Sequence, residues 1–402
     1  MNRKHRSILF HPSSTFTSRH IKNASKILGL SYKESLETHI WVYELHSQIQ
    51  KRAGNGCVLK GGASAQLYLP IDYQRCTADL DCATDLSPKE LHKIMYSIKD
   101  DFYKNNIHCS YIEYIPRSVK VHGRTIPMMT FIFDLSFQFN KKKWLRHPGI
   151  KIDFLFLDLK KIHKTEVLYG ETLGLNLSYT PIAIDKYSTI SDKLITLASK
   201  SLGLQRNKLE GIYKNIYDLY WLINTYNDLE SFKVISQRIT ESLAMEIEMK
   251  NGTPITIDEL LEDILCTLYD TATVSLLQSS SELPFSIIEF KEVYLQKEFR
   301  DSLNTDMWSA MCLYLYIWIF SLKIYLYNKN YSSLEGLNTV IDKYDYYLSL
   351  VKKERRMFKR ELKENVISKD PLLNLEGTGN VLRLLYLDHI LSNMKPSFLK
   401  NK

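Results

Sequence analysis

The chain has 402 residues, enough to bury a sizeable core and to hold roughly two or three domains. Its composition, 45% hydrophobic and 24% charged, excludes a disordered or fibrous chain, and a formal charge of +8 permits a polyanionic partner without requiring one. The six cysteines form no CxxC pair, which argues against a disulfide framework or a cysteine zinc site and predicts buried thiols in a cytoplasmic protein.

The N-terminal stretch from Met1 to Ser14 is basic but has neither a long apolar core nor a small-residue cleavage site, so it does not read as a signal peptide. Residues before about Ser31 show no strong period and read as an irregular arm. Ser31 followed by Glu34 has the spacing of a capping box. It would open a helix to about Lys51, with Leu36, Ile40, Val42, Tyr43, Leu45 and Ile49 as its apolar stripe.

Next comes Leu59 to Thr84, the most informative stretch. Cys57-Val58-Leu59 reads as a short strand, Gly61 and Gly62 as a turn, and about Ala63 to Leu69 as a helix stopped by Pro70 and Asp72. Arg75 to Ala83 reads as a second strand. Alternation would put Arg75, Thr77, Asp79 and Asp81 on one face, and Cys76, Ala78, Leu80 and Cys82 on the other. Two carboxylates side by side repel unless a positive group sits between them, and a divalent metal with hard oxygen ligands is the usual one. A glycine turn feeding a helix is an anion site. Together they point to nucleotide chemistry, although Asp-x-Asp by itself is common by chance.

Ser87 and Glu90 have the spacing of a second capping box, with Pro88 in the first turn of a helix to about Tyr103. The pattern then turns to β, with Ile107 to Tyr114, Ser118 to Val121, a turn at His122 to Arg124, Met128 to Phe139, a basic loop at Lys141 to His147, and Ile150 to Phe156. Asp153 has two readings. It lies on a solvated face with Lys151, or it is a third carboxylate beside Asp79 and Asp81.

From about Ser188 onward the patterns are helical. They predict helices over about Ser188 to Leu202, Asn207 to Tyr226, Ile257 to Val274, Phe285 to Phe299, Asp306 to Tyr327, Leu334 to Asn365 with a break, and Gly379 to Asn393. The most apolar run, about Ala310 to Leu322, is shorter than the roughly 20 residues that span a bilayer. It reads as a buried helix, and no membrane partner is expected. Lys193 in the first of these helices reads by itself as a solvated lysine. Asp218 in the second reads as an i,i+4 partner of Lys214.

The string KGGASAQLYL…RCTADLDCAT resembles the opening motif of the AbiEii/AbiGii-type toxin nucleotidyltransferases, which include the MenT toxins. In that family a Lys-Gly-Gly-Thr-like turn precedes Arg-x-Ser/Thr-x-Asp-x-Asp, and a helical lysine and an Asp-x-Tyr-Asp-Leu helix follow. Here these are matched by Ser191-Asp192-Lys193-Leu194 and Asn215-Ile216-Tyr217-Asp218-Leu219. Ala63 stands where the family often has a hydroxyl residue, and Asn215 stands where it often has aspartate. The matching motifs span about Leu59 to Leu222.

The resemblance implies an α+β fold. The change from α+β to all-helical patterns near Ile184 marks the clearest domain boundary, giving an N-terminal arm and packing helix over 1–52, a mixed-sheet domain over 53–184 that the resemblance makes nucleotidyltransferase-like, and an all-helical domain over 185–402. The resemblance implies that Asp79, Asp81 and Asp153 bind magnesium, with manganese as the alternative ion, that Lys60, Gly61, Gly62 and Ser64 serve the nucleotide, and that Arg75 either pairs with one of the acids or holds phosphate. Lys193 would neutralise triphosphate charge, and Asp218 would hold Lys193 or help the nucleotide site. The activity implied is transfer of a nucleotide from an NTP to RNA, with the tRNA 3′ end as acceptor, blocking translation in a toxin–antitoxin or abortive-infection system with a cognate antitoxin partner. The alternatives are transfer to a small molecule or protein hydroxyl, and a non-catalytic nucleotide-binding interaction module.

Overall fold

The computed structural model describes residues 8–115, 126–139, 149–168, 170–205, 208–250, 254–277, 285–375 and 379–394. The expected strand at Ser118 to Val121, the turn after it and the basic loop at Lys141 to His147 lie outside the described residues. The chain divides into two compact units. The first comprises 1–190, 248–252 and 290–300, and the second comprises 191–247, 253–289 and 301–402.

The first unit opens with helix α1 (Ser18–Ile27), which is capped by the Thr17 side chain accepting from His20 N–H. The expected irregular arm therefore contains a helix. α2 (Lys33–Ala53) follows, and every residue from Ser35 to Ile49 is buried, polar ones included. Its buried carboxylates are matched by hydrogen-bond donors. Glu37 accepts from the backbone of Gln138 and Phe139, and Glu44 accepts from Phe10 N–H, His11 and Gln48. The capping box at Ser31 does not form: the Ser31 hydroxyl bonds Glu292 instead.

The described strands of this unit form one seven-stranded mixed sheet and a small two-stranded one. The strands are β1 (Cys57–Lys60), β2 (Asp79–Thr84), β3 (Cys109–Glu113), β4 (Met128–Leu135), β5 (Ile150–Phe156), β6 (Lys164–Glu166), β7 (Glu171–Thr172), β8 (Leu175–Asn176) and β9 (Ile182–Ile184). The large sheet runs β3-β4-β5-β2-β1-β9-β6. Within it β2–β5 and β1–β9 are parallel, and the other pairs are antiparallel. Phe131, Phe133, Ile152 and Phe154 are buried, and Phe102 of α4 (Pro88–Lys104) meets Phe133 edge-on. The Ser87/Glu90 capping box opens α4 as the spacing predicts.

Between β1 and β2 lies α3 (Gly61–Gln66). The segment Arg75 to Ala78 is not part of β2, contrary to the alternation argument. Its backbone donors have other partners: Arg75 N–H bonds Gln66 Oε1, Cys76 N–H bonds Tyr294 O, and Thr77 N–H bonds His39 Nδ1. β6 to β9 were not legible as strands, because each is only two or three residues long.

The helices after β9 are α5 (Lys186–Thr196), α6 (Leu209–Thr225), α7 (Leu229–Lys250), α8 (Ile257–Leu277), α9 (Phe285–Tyr294), α10 (Lys297–Ser302), α11 (Thr305–Asn328), α12 (Glu335–Ser349), α13 (Lys352–Lys369) and α14 (Val381–Asn393). In the second unit α11 packs against α6, α8 and α14. Its length and composition would allow it to cross a membrane, but its side chains from Trp308 to Ile319 are buried, as expected of a core helix. Helix α7 was not foreseen. The expected helices over 285–299 and 334–365 are each broken, at Leu295-Gln296 and Leu350-Val351. Five of the cysteines are buried free thiols and Cys109 is half-buried.

Candidate active site

The strand pairing assembles the charged residues into one row. Lys60 on β1 is opposite Asp81 on β2, Asp81 is opposite Asp153 on β5, and Asp153 is opposite Thr130 on β4. Residues paired across neighbouring strands project from the same sheet face. Two residues back along β2, Asp79 shares that face and is opposite Lys151. The other face carries Leu80, Cys82, Ile152 and Phe154, all buried. The two readings of Asp153 therefore hold together: it stands beside Asp81, and it shares a face with Lys151.

Asp79 is exposed, while Asp81 and Asp153 are half-buried. Thr130 donates to Asp153 Oδ1 at 2.6 Å, and the Lys151 ammonium pairs with Asp153 Oδ2. Burial pulls the Lys151 pKa down, but the Asp153 carboxylate, with Asp81 and Asp79 behind it, pushes it up further, so the net shift is upward.

The glycine turn closes on this row. Gly61 has φ of +67°, and a Cβ there would lie 2.0 Å from Asp81 Oδ2, so the position needs glycine on both counts. A Cβ on Gly62 would lie 3.2 Å from both Arg75 Nη2 and Thr77 Oγ1. Arg75 is buried under this turn, with Nη1 donating to its neighbour's carbonyl, Cys76 O. Ser64 is fully buried and its hydroxyl faces Thr189, 3.3 Å away, so it is enclosed rather than presented to a ligand.

Several residues that sequence reasoning missed hold this segment. His39 lies in the middle of α2, and its pKa is lowered to about 3 by burial and by Arg75. The neutral ring accepts from Thr77 N–H at 3.1 Å. The strap of residues 290–300 belongs to the first unit despite its place in the chain. Besides the Cys76–Tyr294 bond, its Gln296 amide donates to Ile71, Asp72 and Gln74 carbonyls at 2.8, 3.2 and 3.2 Å. Nothing local in the sequence marks the contacts of this strap, because each joins residues more than two hundred positions apart.

In the second unit Lys193 is buried, with its Nζ 2.7 Å from Asp218 Oδ2 and 3.2 Å from Asn215 Oδ1. Lys193 is not a solvated lysine. Asp218 holds it, while Lys214 pairs with Glu210. Asn215, where the family often has aspartate, supplies a second oxygen to the same ammonium.

The model of the family described as nucleotidyl transferase AbiEii toxin, type IV TA system, matches residues 48–310, well over half of the chain. The chain belongs to the AbiEii nucleotidyltransferase toxin family. It is thus a nucleotidyltransferase of a toxin–antitoxin system, and an NTP is its substrate. Among solved structures it is similar to MenT4, a nucleotidyltransferase toxin from Mycobacterium tuberculosis H37Rv, at 11% identity and a TM-score of 0.40, over 72% of this chain and 93% of that one. It is also similar to an antigenic nucleotidyltransferase-like protein from Paracoccidioides brasiliensis, at 11% identity and a TM-score of 0.29, over 53% and 93% of the two chains. No functionally curated protein matches it.

Among the described residues no three His, Cys, Asp or Glu side chains converge as a ready-made metal cluster. The exposed carboxylate of Asp79 and the half-buried one of Asp81, two apart on one face, do fit a hard divalent cation. Asp153, engaged on both oxygens, fits less well.

Proposed function

We propose that this AbiEii-family enzyme transfers a nucleotide from an NTP to RNA, with magnesium as its metal and the tRNA 3′ end as acceptor, and that it acts in the cytoplasm to stop translation. The observation that carries the chemistry is the row Lys60–Asp81–Asp153–Thr130, with Gly61 packed on Asp81. Asp79 and Asp81 would hold the metal, which supplies electrophilic activation of the phosphoryl group and charge neutralisation when bound. Lys60 and the backbone of Gly61 and Gly62 would take the phosphates. Arg75, buried beneath Gly62, sets a positive charge under the turn. Lys193, oriented by Asp218 and Asn215, is assigned to the triphosphate charge.

A polyanionic acceptor is supported by α13. At 100° per residue, Lys352, Arg356, Lys359, Arg360 and Lys363 fall on one side of the helix, and Glu354 and Glu361 on the other. Glu354 and Glu361 therefore lie off the basic stripe, while Glu364 flanks it and pairs with Arg360. Lys352, Arg356 and Lys359 have no ion-pair partner among the described residues.

The test is incubation of the purified protein with each α-labelled NTP, magnesium and total RNA. Label should enter RNA with at least one NTP, decline steeply with salt, and vanish in Asp79→Ala. Label in protein or in a small molecule instead would reassign the acceptor. NTP binding without turnover would make the chain a nucleotide-binding module.

A further inference from the structure

Three carboxylates on one sheet face are the ligand set for two divalent ions, with the third carboxylate completing the second site. In this chain the third one is already committed. Lys151 lies two residues before Asp153 on β5, so it projects from the same face, and the register sets it opposite Asp79. Its ammonium pairs with Asp153 Oδ2, while Thr130 holds Oδ1 at 2.6 Å. Both side chains of the pair are largely shielded, at 31% and 14% exposure, so water screens it only in part. Across the sheet on that face Lys151 has the exposed carboxylate of Asp79 on one side and the apolar Ile132 on the other, and of the two carboxylates within its reach the ammonium is seated on Asp153.

We propose that Lys151 is the resident counter-cation of the carboxylate row, that it withholds Asp153 from the metal, and that the site takes one divalent ion on Asp79 and Asp81 rather than two ions on three carboxylates. This rests on the reading of Asp79 and Asp81 as metal ligands. A lysine that neutralises one carboxylate removes the charge that would draw a second ion. It also leaves Asp153 as a positioning residue, which fixes the ammonium beside Asp81.

The experiment counts Mn2+ bound per protein by electron paramagnetic resonance, with the full chain saturated by α,β-methylene analogues of the four NTPs. The wild type should bind one ion per protein–nucleotide complex, and Lys151→Met should bind two. Lys151→Arg, which keeps the positive charge, should stay at one. Thermal melts of each variant identify any that do not fold, and Lys151→Gln replaces Lys151→Met in that case. Two ions in the wild type, with one lost in Asp153→Asn, would overturn the proposal while leaving Asp79 and Asp81 as ligands. One ion in both the wild type and Lys151→Met would overturn the withholding role of the lysine. No ion in the wild type would overturn the metal reading of the site itself, and the proposal with it.

Discussion

A Cβ at position 61 would lie 2.0 Å from Oδ2 of Asp81, so the Asp81 carboxylate fills the space that any side chain at Gly61 would need. The glycine is fixed twice, by its positive φ and by the carboxylate against it. Gly61→Ala therefore costs about 1–2 kcal/mol in backbone strain alone, and Asp81 must move as well. A displacement of this kind near the reacting atoms lowers turnover by about 100-fold. Steady-state kinetics beside a thermal melt should show the activity loss exceeding the stability loss, and unchanged turnover would disprove the coupling.

Gln296 reaches three carbonyls of the segment that leads into Arg75. Its amide has two hydrogens, so one is shared. Gln296→Glu replaces those donors with a carboxylate facing carbonyl oxygens and should destabilise the chain by about 1–3 kcal/mol. Because the segment carries Arg75 and Thr77 under Gly62, kcat should fall more than KM rises. A variant with lowered Tm but wild-type kinetics at low temperature would restrict Gln296 to a structural role.

Lys193 and Asp218 form a buried pair, 6% and 0% exposed, at 2.7 Å. Removing either partner leaves a charge without its counter-ion in a shielded site and should cost about 3–5 kcal/mol. Lys193→Met combined with Asp218→Leu should recover most of that loss in a double-mutant cycle. Activity should not recover with it, since the apolar pair offers no cation to a triphosphate. Recovery of both would reduce the pair to packing.

His46 is fully buried, its Nδ1 is 2.7 Å from the Tyr179 hydroxyl, and burial lowers its pKa to about 3. Its unfolded value is about 6.5. Between these values the unfolded chain holds a proton on His46 that the folded chain lacks. Stability is therefore intact above about pH 6.5 and falls as pH drops toward 3, by about 1.4 kcal/mol per unit from this group. Urea titrations at pH 7, 6 and 5 should show a slope reduced by about one proton in His46→Gln, and equal slopes would contradict the burial argument.

The local patterns were legible because they repeat over a few residues. The β5 alternation, the Ser87 capping box and the apolar run of α11 each follow from neighbouring side chains. The Ser31 box failed for the complementary reason: its hydroxyl found Glu292, a partner no local window contains. Likewise Arg75 to Ala78 alternates like a strand, but His39, Gln66 and Tyr294 bind its backbone in place of a ladder.

By itself the sequence determined the chemistry available: a glycine turn, two carboxylates at strand spacing, a third acid, and a distant lysine and aspartate. The family followed from the order of those motifs. The tertiary structure decided which groups meet. Parallel pairing of β2 with β5 set Asp81 beside Asp153, and it gave Lys151 to Asp153 as its partner. The return of residues 290–300 to the first unit supplied the Tyr294 carbonyl that takes Cys76 N–H and the Gln296 amide that ties Ile71, Asp72 and Gln74. Sequence spacing fixes the face on which a side chain lies, but strand register and chain return are set by burial and hydrogen bonding summed over the whole unit.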